Sequence, residues 1–350
     1  MAEYGVDFSK VLDRHRAFWQ GRLSGPLFSV VAPKEGRKPF PYPENEADRI
    51  NWWTDPQQVI ARFRDEFKGT YYAGDAFPVL NHNLGPAGHA GFFKGAVPRY
   101  ESSIWYEPTL ENYADLEFDP ESFLYRKTLE LAKAYAQDAK GEYIVSMPDT
   151  VGAADVLSHL RGPDRFMMDF YDKPDEVRAA LKKVQAVWEK AMQAVWSAVK
   201  DNNYGGGSVG WLNTWAPGFH GQLQCDCSVM LSPEMFGEFI CFELEAQSGF
   251  LEYSLYHFDG EAQIRHLPHL LSVNKIDAIQ WTNVVGQQPV TAYTPVLKEI
   301  QQAGKKLILH CAPDEVGVLL ESLDGGLMSV FTWAKTQAEA DYLVRLYMKR

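Results

Sequence analysis

Residues 276–332, IDAIQWTNVVGQQPVTAYTPVLKEIQQAGKKLILHCAPDEVGVLLESLDGGLMSVFT, decide the fold. Three short β-rich runs, Ile276–Trp281, Lys306–His310 and Leu327–Thr332, alternate here with two helical stretches. The first helix opens at Thr294-Pro295, a hydroxyl cap followed by a residue whose missing N–H costs nothing there, and stops at Gly304. The second runs from Pro313 to Leu323. Past the last strand, Thr336 and Glu339 form a capping box for a terminal helix.

The alternation extends upstream. Glu142–Met147, Gly207–Leu212 and Glu252–His257 read as strands, and Lys173–Lys200 reads as a long helix. Its apolar positions Val177, Leu181, Val184, Trp188, Met192, Val195 and Val199 recur at three- and four-residue spacing, one stripe against a core. Ser232-Pro233 opens another helix that Gly249 ends. Six βα units result, and Leu27–Ala32 with a run near Tyr71–Leu80 brings the strands to eight. Parallel strands in that number close naturally into a (β/α)8 TIM barrel of the α/β class. A doubly wound open sheet competes, but no glycine-rich phosphate turn follows the first strand. The whole of residues 1–350 reads as one domain. Residues 39–124, rich in aromatics, glycine and proline but poorly periodic, read as an irregular, cap-like N-terminal elaboration at the barrel mouth.

Bulk properties narrow the partners. The 350 residues are 46% hydrophobic and 23% charged, an ordinary globular composition. A net charge of -12 and the lack of a lysine/arginine cluster argue against nucleic acid. The N-terminal MAEYGVDFSKVLDRHR shows no secretory pattern, and no apolar run reaches membrane-spanning length. Four cysteines make no disulfide framework, so a reducing cytoplasm is the expected setting. There is no Walker loop, dinucleotide fingerprint, G-x-S-x-G elbow or H-E-x-x-H.

In a parallel barrel the C-terminal strand ends face the active site. His257 and Asp259 end one strand two residues apart, hence on one side, which suits a metal or an acid–base pair. The plainer alternative has Asp259 capping a turn and His257 bonded to a carbonyl. Asp226 precedes the Ser232-Pro233 cap, and alternation puts Cys225 and Cys227 on the opposite side from it. C-x-C can chelate zinc, yet buried cysteine is more often a small hydrophobe. His310 ends the strand before Cys311 and is read as pointing toward the pocket, with a satisfied structural histidine as its alternative. Of Asp149 and Asp155, one caps the following helix and the other reaches substrate. Arg161 pairs with Asp169 or Asp172. Trp281 reads as a platform under a ligand face, with rim packing as its alternative. Two loops, Asn81-His82-Asn83 and the one holding Trp211, Trp215 and His220, read as substrate-facing rims.

Four stretches resemble the uroporphyrinogen decarboxylase-like superfamily: PDTVGAAD at 148–155 with Leu160-Arg161-Gly162 and Tyr171–Pro174; DCSVMLSPEMF at 226–236; Tyr256–Gly260; and Ala278 through Lys305. Together they cover about residues 140–345, and the last resembles an uncharacterised branch related to methylcobamide:thiol methyltransferases. The decarboxylase's N-terminal Arg-Gln-Ala-Gly-Arg is absent, the nearest text being RAFWQGR at 16–22, so porphyrinogen decarboxylation is not expected. The thiol methyltransferases hold zinc through His-x-Cys and a late Cys. This chain has His257-Phe258-Asp259 and Phe331-Thr332-Trp333 instead, leaving His257, Asp259 and Cys311 as the metal ligands the resemblance suggests. It implies a methyltransferase acting on a small molecule, zinc-assisted, with a corrinoid carried by a partner protein, and a homodimer. Asp226, His257 and Asp259 are then the catalytic candidates; Asp149, Trp281, His310, His82 and Trp215 are the substrate-binding ones. The competing function is a metal-free lyase or hydrolase using the same Asp/His groups on a small polar or sugar-like molecule. A non-catalytic ligand-binding relative is the third.

Overall fold

Burial on both faces is why Leu27–Pro33, Tyr253–Phe258 and Ala278–Trp281 read as short apolar runs rather than amphipathic ones. The computed structural model describes residues 3–34, 40–284 and 286–348; Pro39, the start of the expected cap segment, lies outside them. Seven strands share one sheet, in the order Thr70–Gly74, Leu27–Pro33, Met328–Trp333, Lys306–His310, Ala278–Trp281, Tyr253–Phe258 and His220–Leu223. The last six are parallel, and Thr70–Gly74 runs antiparallel along the edge of Leu27–Pro33. Val79–Leu80 and Ile144–Val145 form a separate parallel pair. The strands are thus not one closed eight-stranded ladder among the described residues; the shown architecture is a mixed α/β fold around a central, mainly parallel sheet.

Two local events explain the departure. The run near Tyr71–Leu80 is split: Gly74, at φ +66°, turns the chain where a Cβ would lie 2.2 Å from the Phe28 carbonyl oxygen. Gly207–Leu212 is a strand only to Val209, then tightens into a 3₁₀ turn and folds back as a hairpin with Thr214–Ala216. The strand that joins the main sheet, His220–Leu223, lies in what the sequence presented as a loop.

The helices follow the apolar periodicity more closely. Pro174–Val199 buries the expected stripe. Thr336 caps the terminal helix Gln337–Tyr347 by accepting from the Glu339 amide. The helix opened by Ser232 is broken at Ile240 into Pro233–Phe239 and Cys241–Phe250. Residues 46–68 carry two helices, Glu46–Thr54 and Pro56–Lys68, more regular than expected. Among the described residues no helix is long and apolar enough to cross a membrane.

Alternation sorts the strand side chains into two layers. Leu27, Leu255, Ala278 and Ile308 pack on one side with Phe18 and Trp19 of the N-terminal helix Phe8–Trp19. Phe28, Tyr256, Phe258, Ile279, Trp281 and Leu309 face the surrounding helices. Each such fully buried side chain contributes roughly 1.5–3 kcal/mol by leaving water. Stepping by two toward the C-terminal ends on the first side gives polar residues: Gln222, Gln224 and Asp226; His257 and Asp259; Gln280 and Thr282; His310. That polar end is the site.

Candidate active site

A chain of side-chain amides sets the geometry. Trp211 Nε1 donates to Gln222 Oε1 at 2.6 Å, and Gln222 Nε2 donates to Asp149 Oδ1 at 2.7 Å and Gln224 Oε1 at 2.9 Å. Gln224 Nε2 then donates to Asp226 Oδ2 at 2.7 Å. On the next strand, His257 Nδ1 donates to Gln280 Oε1 at 2.5 Å, and Gln280 Nε2 passes on to Thr282 Oγ1 at 2.9 Å. This arrangement commits Nδ1 to Gln280 and turns Nε2 toward Asp226. Nε2 stands 4.0 Å from Asp226 Oδ1. The Asp226 side chain is 41% exposed, yet Oδ1 itself is buried with no hydrogen-bond partner.

Aromatic rings wall the pair. The Trp211 ring meets His257 edge-on at 5.2 Å and His310 at 6.4 Å, and His310 lies 4.9 Å from the Phe331 ring. His310 Nε2 is buried without a partner, and burial lowers its pKa to about 4, so it is a neutral imidazole. Trp211 and Phe331 also line an open groove of about 1280 Å³ with Phe63, Tyr72, Asn81 and Trp333. An adjoining groove of about 800 Å³ adds Trp52, Trp53 and Arg62, whose guanidinium sits 3.7 Å above the Trp52 ring.

The carboxylates here are displaced upward. Burial raises Asp149 to about 6, against the pull of His257 and the Gln222 hydrogen bond. Burial also raises Asp226, with His257 and Gln224 opposing and Asp259 reinforcing. The folded protein therefore keeps the Asp149 proton to higher pH than the unfolded chain does. As pH climbs from about 4 to about 6 the folded state loses ground on this account. Asp149→Asn keeps the Gln222 contact and removes that slope. Its melting temperature relative to wild type should be level in acid and rise by neutral pH; a pH-independent difference would contradict the shift.

Asp226, His257, Asp259 and His310 are thus brought to one end of the sheet, with Asp149 beside them. Several other candidates go elsewhere. Trp281 is 1% exposed, enclosed between Phe258 (5.2 Å, stacked) and Tyr293 (4.7 Å). Its odd register turns it toward the helices, so it is a packing residue and not a ligand platform. Trp215 is fully buried, donates to the Asn203 carbonyl and accepts at its own carbonyl from Trp19; it belongs to the opposite, N-terminal side of the strands. His220 is likewise satisfied there, between Thr214 and the Tyr253 carbonyl. Cys311 is 2% exposed in the outer core, because His310 takes the inward position, and so stands apart from His257 and Asp259 as a metal ligand.

His82 is not on the rim. It is 1% exposed in an enclosed chamber behind Asp149, facing His89, Phe92, Trp188 and Met192. Neither ring nitrogen of His82 or His89 has a partner, and burial keeps both imidazoles neutral. Asp155 is the capping member of its pair, accepting from the amides of Gly152, Asp226 and Cys227. Gly152 is required there, since a Cβ would lie 2.2 Å from the Gln224 carbonyl oxygen. Sequence reasoning missed Gln222, Gln224, Gln280 and Thr282. For the first two the signal was a polar residue at every second position from His220 to Asp226, hidden by Pro217, Gly218 and Gly221, which read as a loop.

No protein-family model matches the chain, and no curated protein matches its sequence. Among solved structures, a methyltransferase from Methanosarcina mazei aligns with a TM-score of 0.63 over 97% of this chain and 98% of its own, at 12% identity. The two share a fold over nearly their whole lengths.

Proposed function

We propose that this protein is a methyltransferase of the uroporphyrinogen decarboxylase-like superfamily, moving a methyl group between a corrinoid carried by a partner protein, or a small methyl donor, and a small-molecule acceptor. A (β/α)8 barrel is part of this proposal; the hydrogen bond from Met147 N to the Ser208 carbonyl, which links the Ile144–Val145 pair to the Gly207–Val209 hairpin, supports it. The fold shared with the M. mazei methyltransferase supports this class.

One observation carries the chemistry. An imidazole Nε2 and a buried, unpartnered carboxylate oxygen face each other across 4.0 Å at the C-terminal ends of neighbouring parallel strands. Those two atoms would hold a zinc-type ion between them, with Asp259 farther off than the 4.8 Å within which three donors meet. When bound, such an ion lowers the pKa of an acceptor thiol or hydroxyl. Gln280 fixes the His257 ring, Gln224 fixes the Asp226 carboxylate, and Asp149 accepts the acceptor's proton. The methyl group passes to the acceptor heteroatom, and the donor departs with the bonding electron pair.

The raised pKa values of Asp149 and Asp226 also favour a second reading, metal-free acid–base lysis or hydrolysis of a small polar molecule. Methylcobalamin with a panel of small thiols and alcohols separates the two. Methylated product, lost on chelation and restored by zinc, is the expected result. Full turnover of a polar substrate by exhaustively chelated protein, without methyl transfer, would sink it.

A further inference from the structure

We propose a second metal site, for zinc(II), on the outer face of the same strand end, held by Asp155, Cys225 and Cys227. It does not depend on the methyl-transfer reading. The carboxylate and the two sulfurs all lie within 4.8 Å of one another and all three residues are buried. No other trio of His, Cys, Asp or Glu ligand atoms meets that distance among the described residues. The Sγ atoms are 3.9 Å apart. Two thiolates on one tetrahedral zinc, at about 2.3 Å each, stand about 3.8 Å apart, whereas a disulfide needs about 2.05 Å.

The backbone has already placed these ligands. Asp226 and Cys227 open the 3₁₀ turn Asp226–Met230, capped by Cys225, which brings the two sulfurs together while Asp226 faces His257. Asp155 is held by three backbone amides, from Gly152 (3.1 Å), Asp226 (3.0 Å) and Cys227 (2.7 Å), on the helix packed against that turn. A ligand set fixed by its own main chain needs little reordering to bind.

An independent observation points to a missing cation. Glu243, 1% exposed, accepts from Ala153 N at 2.6 Å through Oε1, in the first turn of the helix that bears Asp155. Its Oε2 is buried without a partner. No lysine, arginine or histidine among the described residues pairs with Asp155 or Glu243. A buried carboxyl oxygen without a partner is costly, and a water held by a bound cation would supply the missing donor. Binding releases two thiol protons to solvent and puts one dication in their place, leaving the net local charge unchanged. Glu243 lies outside the 4.8 Å circle, leaving the fourth position to a water that Oε2 accepts from.

The test uses full-length protein expressed with zinc and dialysed. Elemental analysis should show that Cys225→Ser/Cys227→Ser loses about one zinc per chain that His257→Ala retains. Cys241→Ser, remote from the trio, should lose none. Cobalt(II) added to zinc-stripped wild type should give a thiolate-to-metal charge-transfer band in the near ultraviolet, a readout that survives if the double variant does not fold. Unchanged zinc in the double variant, or cobalt uptake with no thiolate band, overturns the site. Loss of metal in His257→Ala alone would instead support the active-site ion and leave no zinc for the cysteines, which also overturns it.

Discussion

Exchanging His257 for asparagine is expected to lower kcat/KM by about 10³-fold while the melting temperature stays within a few degrees of wild type. The contrast rests on which ring nitrogen does what. Nδ1 is committed to Gln280 at 2.5 Å, and an asparagine amide sits close to the Nδ1 position and keeps that bond. Nε2, 4.0 Å from Asp226 Oδ1, has no counterpart in asparagine. A purely structural histidine would therefore tolerate asparagine and suffer from alanine, which loses the Gln280 bond and opens a hole in a site where His257 is only 8% exposed. A catalytic or metal-holding Nε2 predicts that both variants are equally inactive and that glutamine, whose amide reaches the Nε2 position, recovers part of the rate. The measurement is steady-state methyl transfer by the three variants, with thermal melts alongside. Wild-type turnover in His257→Asn would remove His257 from the chemistry and with it the proposed site.

What was legible in the sequence depended on whether a pattern was local. Lys306–His310 and the helix Pro174–Val199 announced themselves through apolar runs and periodicity, because burial set the apolar positions in them. The positions of His257 and His310 at strand ends followed from the same alternation, whereas Asp226 was placed only by its position ahead of the Ser232-Pro233 cap. His220–Leu223 was missed because Pro217, Gly218 and Gly221 make its surroundings look like a turn, and its pairing partner Tyr253–Phe258 is some thirty residues away. The side a residue faces was the other failure. Trp281 and Cys311 are one register step from Gln280 and His310, and a single step moves a side chain from the site to the helical layer. The glutamines that orient the site carry no charge and belong to no motif, so only the assembled sheet reveals them.

Arg161→Ala is expected to destabilise the protein by about 3–5 kcal/mol without touching the site, because it strands a buried carboxylate. Nε of Arg161 donates to Asp169 Oδ2 at 2.7 Å, and Nη1 reaches the Leu110 and Glu111 carbonyls at 3.2 and 2.7 Å. The guanidinium lies 5.6 Å over the Tyr113 ring, and Tyr113 Oη also donates to Asp169, at 2.9 Å. One side chain so fastens residues 110–113 to two helices, and Asp169, not Asp172, is its carboxylate partner. Burial works to raise the Asp169 pKa, yet the hydrogen bonds from Arg161 and Tyr113 hold it below the ordinary value. A carboxyl whose folded pKa is depressed adds stability above its unfolded value, near 3.8, and forfeits it as pH falls through the folded one. Urea melts of wild type and Arg161→Ala should accordingly differ most at neutral pH and converge as pH falls below the unfolded value and through the folded one. Arg161→Lys keeps the charge but cannot span Asp169 and two carbonyls at once, so it should recover less than half of the loss. Removing both partners, as Arg161→Met/Asp169→Leu, eliminates the stranded charge and should be milder than Arg161→Ala alone. A double variant worse than the single one would show that the packing of the guanidinium, and not its charge, holds this corner together.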